Sequence, residues 1–218
     1  MTRDLFVKEM DALQADVVRM ASLAGDAIHA SVEALRDRDV ARAERIVADD
    51  DKIDAMHLDL EARCTKLLAR QQPMASDLRA IAAMFAITLD LERLADHAEG
   101  ISRAVKRLGN QPLVKPLVDI PRMEELVQQM LRDVMHALLR RDTALAEATA
   151  KKDDEVDSLR SQVFRELLTY MMSDPSTVSR ALELLLVAQH LERAADHITN
   201  IAERVIYVTT GELRELNT

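Results

Sequence analysis

Apolar side chains recur along this chain in alternating steps of three and four residues for almost its whole length. Leu13, Val17, Met20, Ala24 and Ala27 begin the pattern, and Met84, Ile87, Leu91, Leu94, Ala98, Ile101, Val105 and Leu108 give its cleanest stretch. Such steps keep one stripe of a helix apolar and suit helix-on-helix packing. The pattern predicts six long helices, over residues 4–38, 40–70, 76–108, 121–140, 142–172 and 176–210. The stops fall between them. Pro73 forces the preceding residue, in Gln71-Gln72-Pro73, out of the α region. Ser76 is expected to N-cap the third helix, and Gly109 to end it. Pro112, Pro116 and Pro121 mark the one long break, with Pro121 acceptable in a first helical turn. Ser173-Asp174-Pro175 and Gly211 end the fifth and sixth helices.

The third and sixth helices are copies of one another. Leu91–Ile101 reads LERLADHAEGI and Leu191–Ile201 reads LERAADHITNI, with seven of eleven positions identical at an offset of 100. The apolar stripe of the sixth helix (Leu184, Val187, Leu191, Ala194, Ile198, Ile201, Val205, Val208) keeps the same register. The chain therefore reads as a tandem duplication. Long helices joined by short turns bury their stripes by lying antiparallel. The expected fold is all-α, two tandem three-helix bundles. Residues 1–109 form the first repeat, 110–120 a Pro-containing linker and 121–218 the second repeat.

Antiparallel folding brings acidic residues together. Asp50 and Asp54 on the second helix, and Asp153 and Asp157 on the fifth, are spaced i, i+4 and so share a helix face. With the chain folded back at Pro73, Asp54 comes level with Glu92 and Asp50 with Asp96. Folded back between Asp174 and Pro175, Asp153 comes level with Asp196 and Asp157 with Glu192. Each repeat is thus expected to gather four carboxylates on an accessible face beside the core. Their mutual repulsion admits three resolutions. A hard metal cation suits oxygen-only ligation; Arg93 and Arg193 offer internal neutralisation through forked hydrogen bonds; or the acids point into water. His97 and His197 follow the acidic pairs and are expected to hydrogen-bond across helices rather than ligate metal.

Composition narrows the role. Aromatics are 2% of the chain and glycines number four, a helix-former vocabulary with little room for hairpin turns. A formal charge of −9 argues against nucleic acid or an anionic membrane surface as partner. The opening MTRDLFVKEMD carries acids and no apolar signal core, so export is not expected, and no apolar run is long enough for a bilayer. The single Cys64 rules out an internal disulfide, fits a reducing cytoplasm and is expected to be a buried, inert thiol. Three residues after Glu92 and Glu192 stand Ala95 and Ala195, not the His of a di-iron carboxylate helix. Gly-rich phosphate loops, His-Glu-x-x-His and nucleophile motifs are also missing from the sequence. A binding or regulatory module is expected, not an enzyme.

The two acidic repeats, together with Glu192-Arg193, Asp196-His197 and Asn200-Ile201-Ala202-Glu203, resemble the PhoU family of phosphate-signalling proteins over essentially the whole chain. Asp50, Asp54, Glu92, Asp96, Asp153, Asp157, Glu192 and Asp196 match that family's acidic positions. The resemblance implies metal at these eight residues (Fe, Zn, Mn or Mg) and a cytoplasmic homodimer that is peripheral to the membrane only through partners. It also implies a negative regulator of the phosphate-starvation response, linking the Pst phosphate ABC transporter ATPase to a sensor histidine kinase and restraining phosphate uptake. A metal-binding helical scaffold or storage protein is the alternative. One departure stands out: the first repeat has Glu99-Gly100 where the second has Thr199-Asn200, so the two sites are not expected to be equivalent.

Overall fold

The computed structural model describes residues 3–71 and 73–216; Met1, Thr2 and Gln72, to which the expectations for the chain start and the first hairpin turn refer, lie outside them. Among the described residues there are seven α-helices, one short 3-10 turn and no strand. They are α1 (Arg3–Asp37), α2 (Val40–Gln71), α3 (Ser76–Leu108), α4 (Asp119–Arg140), α5 (Thr143–Ala150), α6 (Asp153–Ser173), the turn Pro175–Thr177, and α7 (Val178–Thr210). The first repeat packs α1, α2 and α3 against each other. In the second, α4, α5 and α6 pack on α7. This is the expected all-α, duplicated architecture.

Two local expectations are corrected. The segment 142–172 is not one helix, because the chain tightens at Lys151-Lys152, where the Lys152 N–H donates to Thr149 O at 3.0 Å instead of one residue further back. Thr149 contributes: its hydroxyl bonds back to Leu145 O at 2.8 Å, a contact that competes with the helical ladder and bends it. Ser76 is not the cap of α3. Ala75 occupies that position at φ 48°, with no side-chain cap bond, and the Asp77 N–H donates to Met74 O at 3.2 Å.

The corners α1–α2 and α4–α5 are built alike. Arg38 and Arg141 take left-handed backbone at φ 57° and 53°. Asp39 N–H donates back to Ala34 O, and Asp142 N–H to Ala137 O, the long bond that closes a Schellman turn. The same two aspartates then cap the next helices, accepting from Arg42 N–H at 2.9 Å and Leu145 N–H at 3.0 Å. Arg38 and Arg141, like Asp50 and Asp153, stand 103 positions apart, against 100 for Leu91 and Leu191.

The two repeats are joined along α3 and α7, which cross antiparallel: Arg107 pairs with Glu183 at one end, and Gly211 comes beside Arg79 at the other. Leu91, Leu94 and Ala98 of α3 and Leu191, Ala194 and Ile198 of α7 are fully buried, and the apolar core runs unbroken from one repeat into the other. Each buried Leu or Ile stabilises the fold by roughly 1.5–3 kcal/mol. On the other side α1 meets α4, with Gln128 donating to Gly25 O at 2.7 Å. The linker is pinned to the second repeat by Lys115, whose side chain is largely enclosed and pairs with Asp119 and Glu166. Cys64 is fully buried, and burial pushes its thiol up to about 11, so it is unreactive, as expected.

At the centre of the crossing, duplication gives one polar contact two solutions. His197 Nδ1 sits 3.0 Å from Asp90 Oδ1, to which Asn200 also donates. The equivalent pair in the other direction is His97 Nδ1 and His190 Nδ1 at 3.3 Å. Residue 90 is Asp and its counterpart 190 is His; residue 200 is Asn and its counterpart 100 is Gly. A Cβ at Gly100 would collide with the His190 ring, so the larger imidazole demands the missing side chain. Gly100→Ala gains up to about 1 kcal/mol of helix propensity but overpacks this contact at about 1–3 kcal/mol. The expected outcome is a net loss of about 1 kcal/mol, read from urea unfolding. In a His190→Ala background the sign should reverse, and equal effects in both backgrounds would remove the steric account.

Candidate cation sites

The eight acidic residues fall into two clusters, one per repeat. In the first, α2 supplies Asp50 and Asp54, one turn apart, and α3 supplies Glu92 and Asp96. All four are half-buried beside the core stripe. Burial pushes the Asp50 carboxyl up to about 6, and the nearby charges of Asp54, Asp96, Glu99 and Glu92 add to the shift. Glu92 is also raised, by burial and then by Asp96, against the opposing pull of Arg93. Asp54 Oδ1 and Glu92 Oε2 are buried without a hydrogen-bond partner; the nearest cation to Glu92 Oε2 is Arg93 Nε at 3.5 Å. Arg93 also donates to Asp96 at 3.0 Å from a half-exposed position. A cavity of about 300 Å³ opens beside Asp50, between α1, α2 and α3, with a floor of Leu23, Ala27, Ile53 and Ala95.

In the second cluster, the kink at Lys151-Lys152 starts α6 at Asp153, which is buried, while Asp157 one turn on is exposed. Asp153, Asp157 and Asp196 line one cavity of about 430 Å³, together with Glu147, Asp154 and Lys151. Glu192 is raised by burial and then by Asp196 and Asp157, and Asp196 by burial and then by Asp157. Glu192 pairs with Arg160 of α6 at 4.0 Å, whereas Arg193 was the arginine the sequence offered as one of three resolutions. His97 and His197 hydrogen-bond across the α3–α7 crossing, as their spacing suggested.

Sequence reasoning missed Glu99, whose charge reaches Asp50, and Glu147, which completes the wall of the second cavity. Glu99 lies seven residues past Glu92, two helical turns along one face, and that spacing was the available signal. Glu147 sits before the kink and carried none. Among the described residues, no group of three or more His, Cys, Asp or Glu side chains is arranged to hold a metal ion. The clusters gather negative charge and hard oxygen donors, and leave Asp54 Oδ1 and Glu92 Oε2 without hydrogen bonds. That donor set fits a hard cation chemically without forming a ready-made coordination cage.

A titration follows from Asp50. Its folded-state pKa, about 6, exceeds the ordinary 3.8, so the folded chain holds this proton longer than the unfolded one. Stability is therefore lost as pH rises from about 4 to about 6 and stays lower above that range. In chelator-treated protein, Asp50→Asn should raise stability at pH 7 and leave it nearly unchanged at pH 4. Urea unfolding at the two pH values checks this, and a pH-independent gain would discard the like-charge account.

Comparison with known proteins places these features in a family. The PhoU domain model matches residues 17–105 and again 120–205. The chain is 42% identical over 206 residues to a phosphate-specific transport system accessory protein PhoU homolog of Aquifex aeolicus, covering 94% of this chain and 93% of that protein. It is 39% identical to a homolog with the same description from Clostridium acetobutylicum over the full length of both. The crystal structure of the phosphate transport system regulatory protein PhoU from Streptococcus pneumoniae superposes with a TM-score of 0.89 at 31% identity, over 96% of this chain and 99% of that one. That of PhoU from Pseudomonas aeruginosa gives 0.90 at 35%, over 95% and 100%. With both repeats matched and relatives aligned from end to end, the chain belongs to the PhoU family.

Proposed function

We propose that this chain is a non-enzymatic accessory regulator of a phosphate transport system, and that cations held by its two acidic clusters set the surface its partners read. The observation that carries the reading is the full-length kinship with accessory and regulatory proteins of phosphate transport, combined with an acidic quartet in each repeat. Asp50, Asp54, Glu92 and Asp96 would hold one cation site, and Asp153, Asp157, Glu192 and Asp196 the other. Iron, zinc, manganese and magnesium are the candidate metals, the oxygen donors favouring the harder ions. A bound cation removes the repulsion within each quartet and so ties α2 to α3 and α6 to α7.

In the finer reading, the protein is a cytoplasmic homodimer that contacts the transporter ATPase and a sensor histidine kinase, restrains phosphate uptake and damps the starvation response when phosphate is plentiful. Among the described residues, no helix is long and apolar enough to cross a membrane, so contact with membrane proteins would run through partner domains.

Two measurements test this. Metal content of purified protein should drop by one cluster's share in Asp54→Asn/Glu92→Gln/Asp96→Asn, by the other's in Asp157→Asn/Glu192→Gln/Asp196→Asn, and vanish when both sets are combined. Unchanged stoichiometry would end the cation reading. Tagged protein should capture the transporter ATPase and the sensor kinase from cells grown in high phosphate, and release them when chelator is added. Failure to recover either partner in any condition would end the adaptor reading.

A further inference from the structure

The second acidic cavity differs from the first in one respect that duplication does not explain: a segment of chain beyond α7 reaches its rim. α7 ends at Gly211, whose φ of 83° turns the backbone sharply. Residues 211–216 then fold back toward α5 and α6. Leu216 forms part of the cavity wall with Asp153, Asp157 and Asp196, and also packs against the apolar core. The Leu216 N–H donates to Glu203 of α7 at 2.8 Å. Two residues earlier, Arg214 Nη1 sits 3.8 Å from Glu147, an acid of the same cavity wall, and its other nitrogen 3.1 Å from Glu212.

Among the described residues, the first repeat has nothing equivalent. Beyond Gly109 the chain leaves for the second repeat, where Arg180 donates to Pro112 O at 2.9 Å and Lys115 pairs with Asp119 and Glu166. The walls of the cavity beside Asp50 come from α1, α2 and α3 alone.

We propose that residues 211–216 form a strap across the second acidic cavity, and that cations compete with it for that site, an inference that rests on the cation-binding reading above. Arg214 is a tethered positive charge at the rim of a cavity lined by Glu147, Asp153, Asp154, Asp157 and Asp196. An entering cation supplies the charge that Arg214 otherwise lends. Leu216 and its bond to Glu203 hold the guanidinium in place. The first site, with no strap, fills at its intrinsic affinity, while the second fills only as the strap yields. The two sites thus respond over different ranges of cation concentration.

The test uses Mn²⁺ and the whole chain, with the first cluster silenced by Asp50→Asn, Asp54→Asn, Glu92→Gln and Asp96→Asn so that only the second is read. Arg214→Ala/Leu216→Ala should tighten Mn²⁺ binding there by about two- to fivefold, the scale of one partly exposed ion pair. In the unsubstituted protein, filling the site with Mn²⁺ should lower hydrogen-exchange protection of the Leu216 amide. This second measurement holds even if the strap variant folds poorly. Equal Mn²⁺ affinity with and without the strap, or unchanged protection at Leu216 on saturation, overturns the strap and leaves the cation reading standing. No Mn²⁺ binding at either cluster of the unsubstituted protein overturns both.

Discussion

The antiparallel crossing of α3 and α7 is the joint on which the rest of this molecule depends. Each of these helices belongs to a different repeat, yet their shared stripe of Leu, Ile and Ala is as dry as the interior of either bundle. Gly100 keeps the surface small where α3 approaches the His190 ring of α7. Because Glu92 and Asp96 ride on one helix and Glu192 and Asp196 on the other, the joint also fixes the two acidic clusters relative to each other. The polar pairs at its centre, His197 with Asp90 and His97 with His190, sit one residue from Asp196 and Asp96. Neither acid can move along its helix without disturbing a contact made by the opposite repeat.

Electrostatics runs against this arrangement. Half-buried carboxylates that raise one another's proton affinity cost stability near neutrality. The arginines that face them, Arg93 and Arg160, are substantially exposed, where an ion pair contributes roughly 0–1 kcal/mol. Asp54 Oδ1 and Glu92 Oε2 gain no hydrogen bond in return. A solvated face would leave these acids in water, and a structural network would satisfy their oxygens. Asp54 and Glu92 of the first cluster do neither, since both are half-buried and each keeps an oxygen without a hydrogen bond, which is the physical reason for reading that cluster as a place for an external positive charge.

The helices were legible in the sequence because a buried stripe imposes a period on apolar residues, and period survives whatever the neighbours are. The convergence of Asp50 and Asp54 with Glu92 and Asp96 was legible for a related reason: rise per residue is constant, so two arms of a hairpin stay level. Features set by single hydrogen bonds were not. The kink before Asp153 depends on where the Lys152 N–H bonds, and the cap of α3 on a backbone turn at Ala75 that makes the Ser76 hydroxyl unnecessary. The absent asparagine of the first repeat was visible as Gly100, but its reason was not. It lies ninety residues away in His190, and no local pattern points there. Arg160, which pairs with Glu192 from α6 at 4.0 Å, was hidden for the same reason.

The differing offsets, 103 on the first arm of each hairpin and 100 on the second, place the length difference between the repeats at the hairpin tips, near Met74 and Asp174. Shortening a hairpin at its tip draws both arms in by the same amount, so groups that faced each other still face each other. Had the residues been lost anywhere along α2 or α6, every carboxylate beyond the gap would have slid almost a full turn past its opposite number. A change of length at the bend therefore leaves the facing carboxylates level, where the same change within either arm would part them.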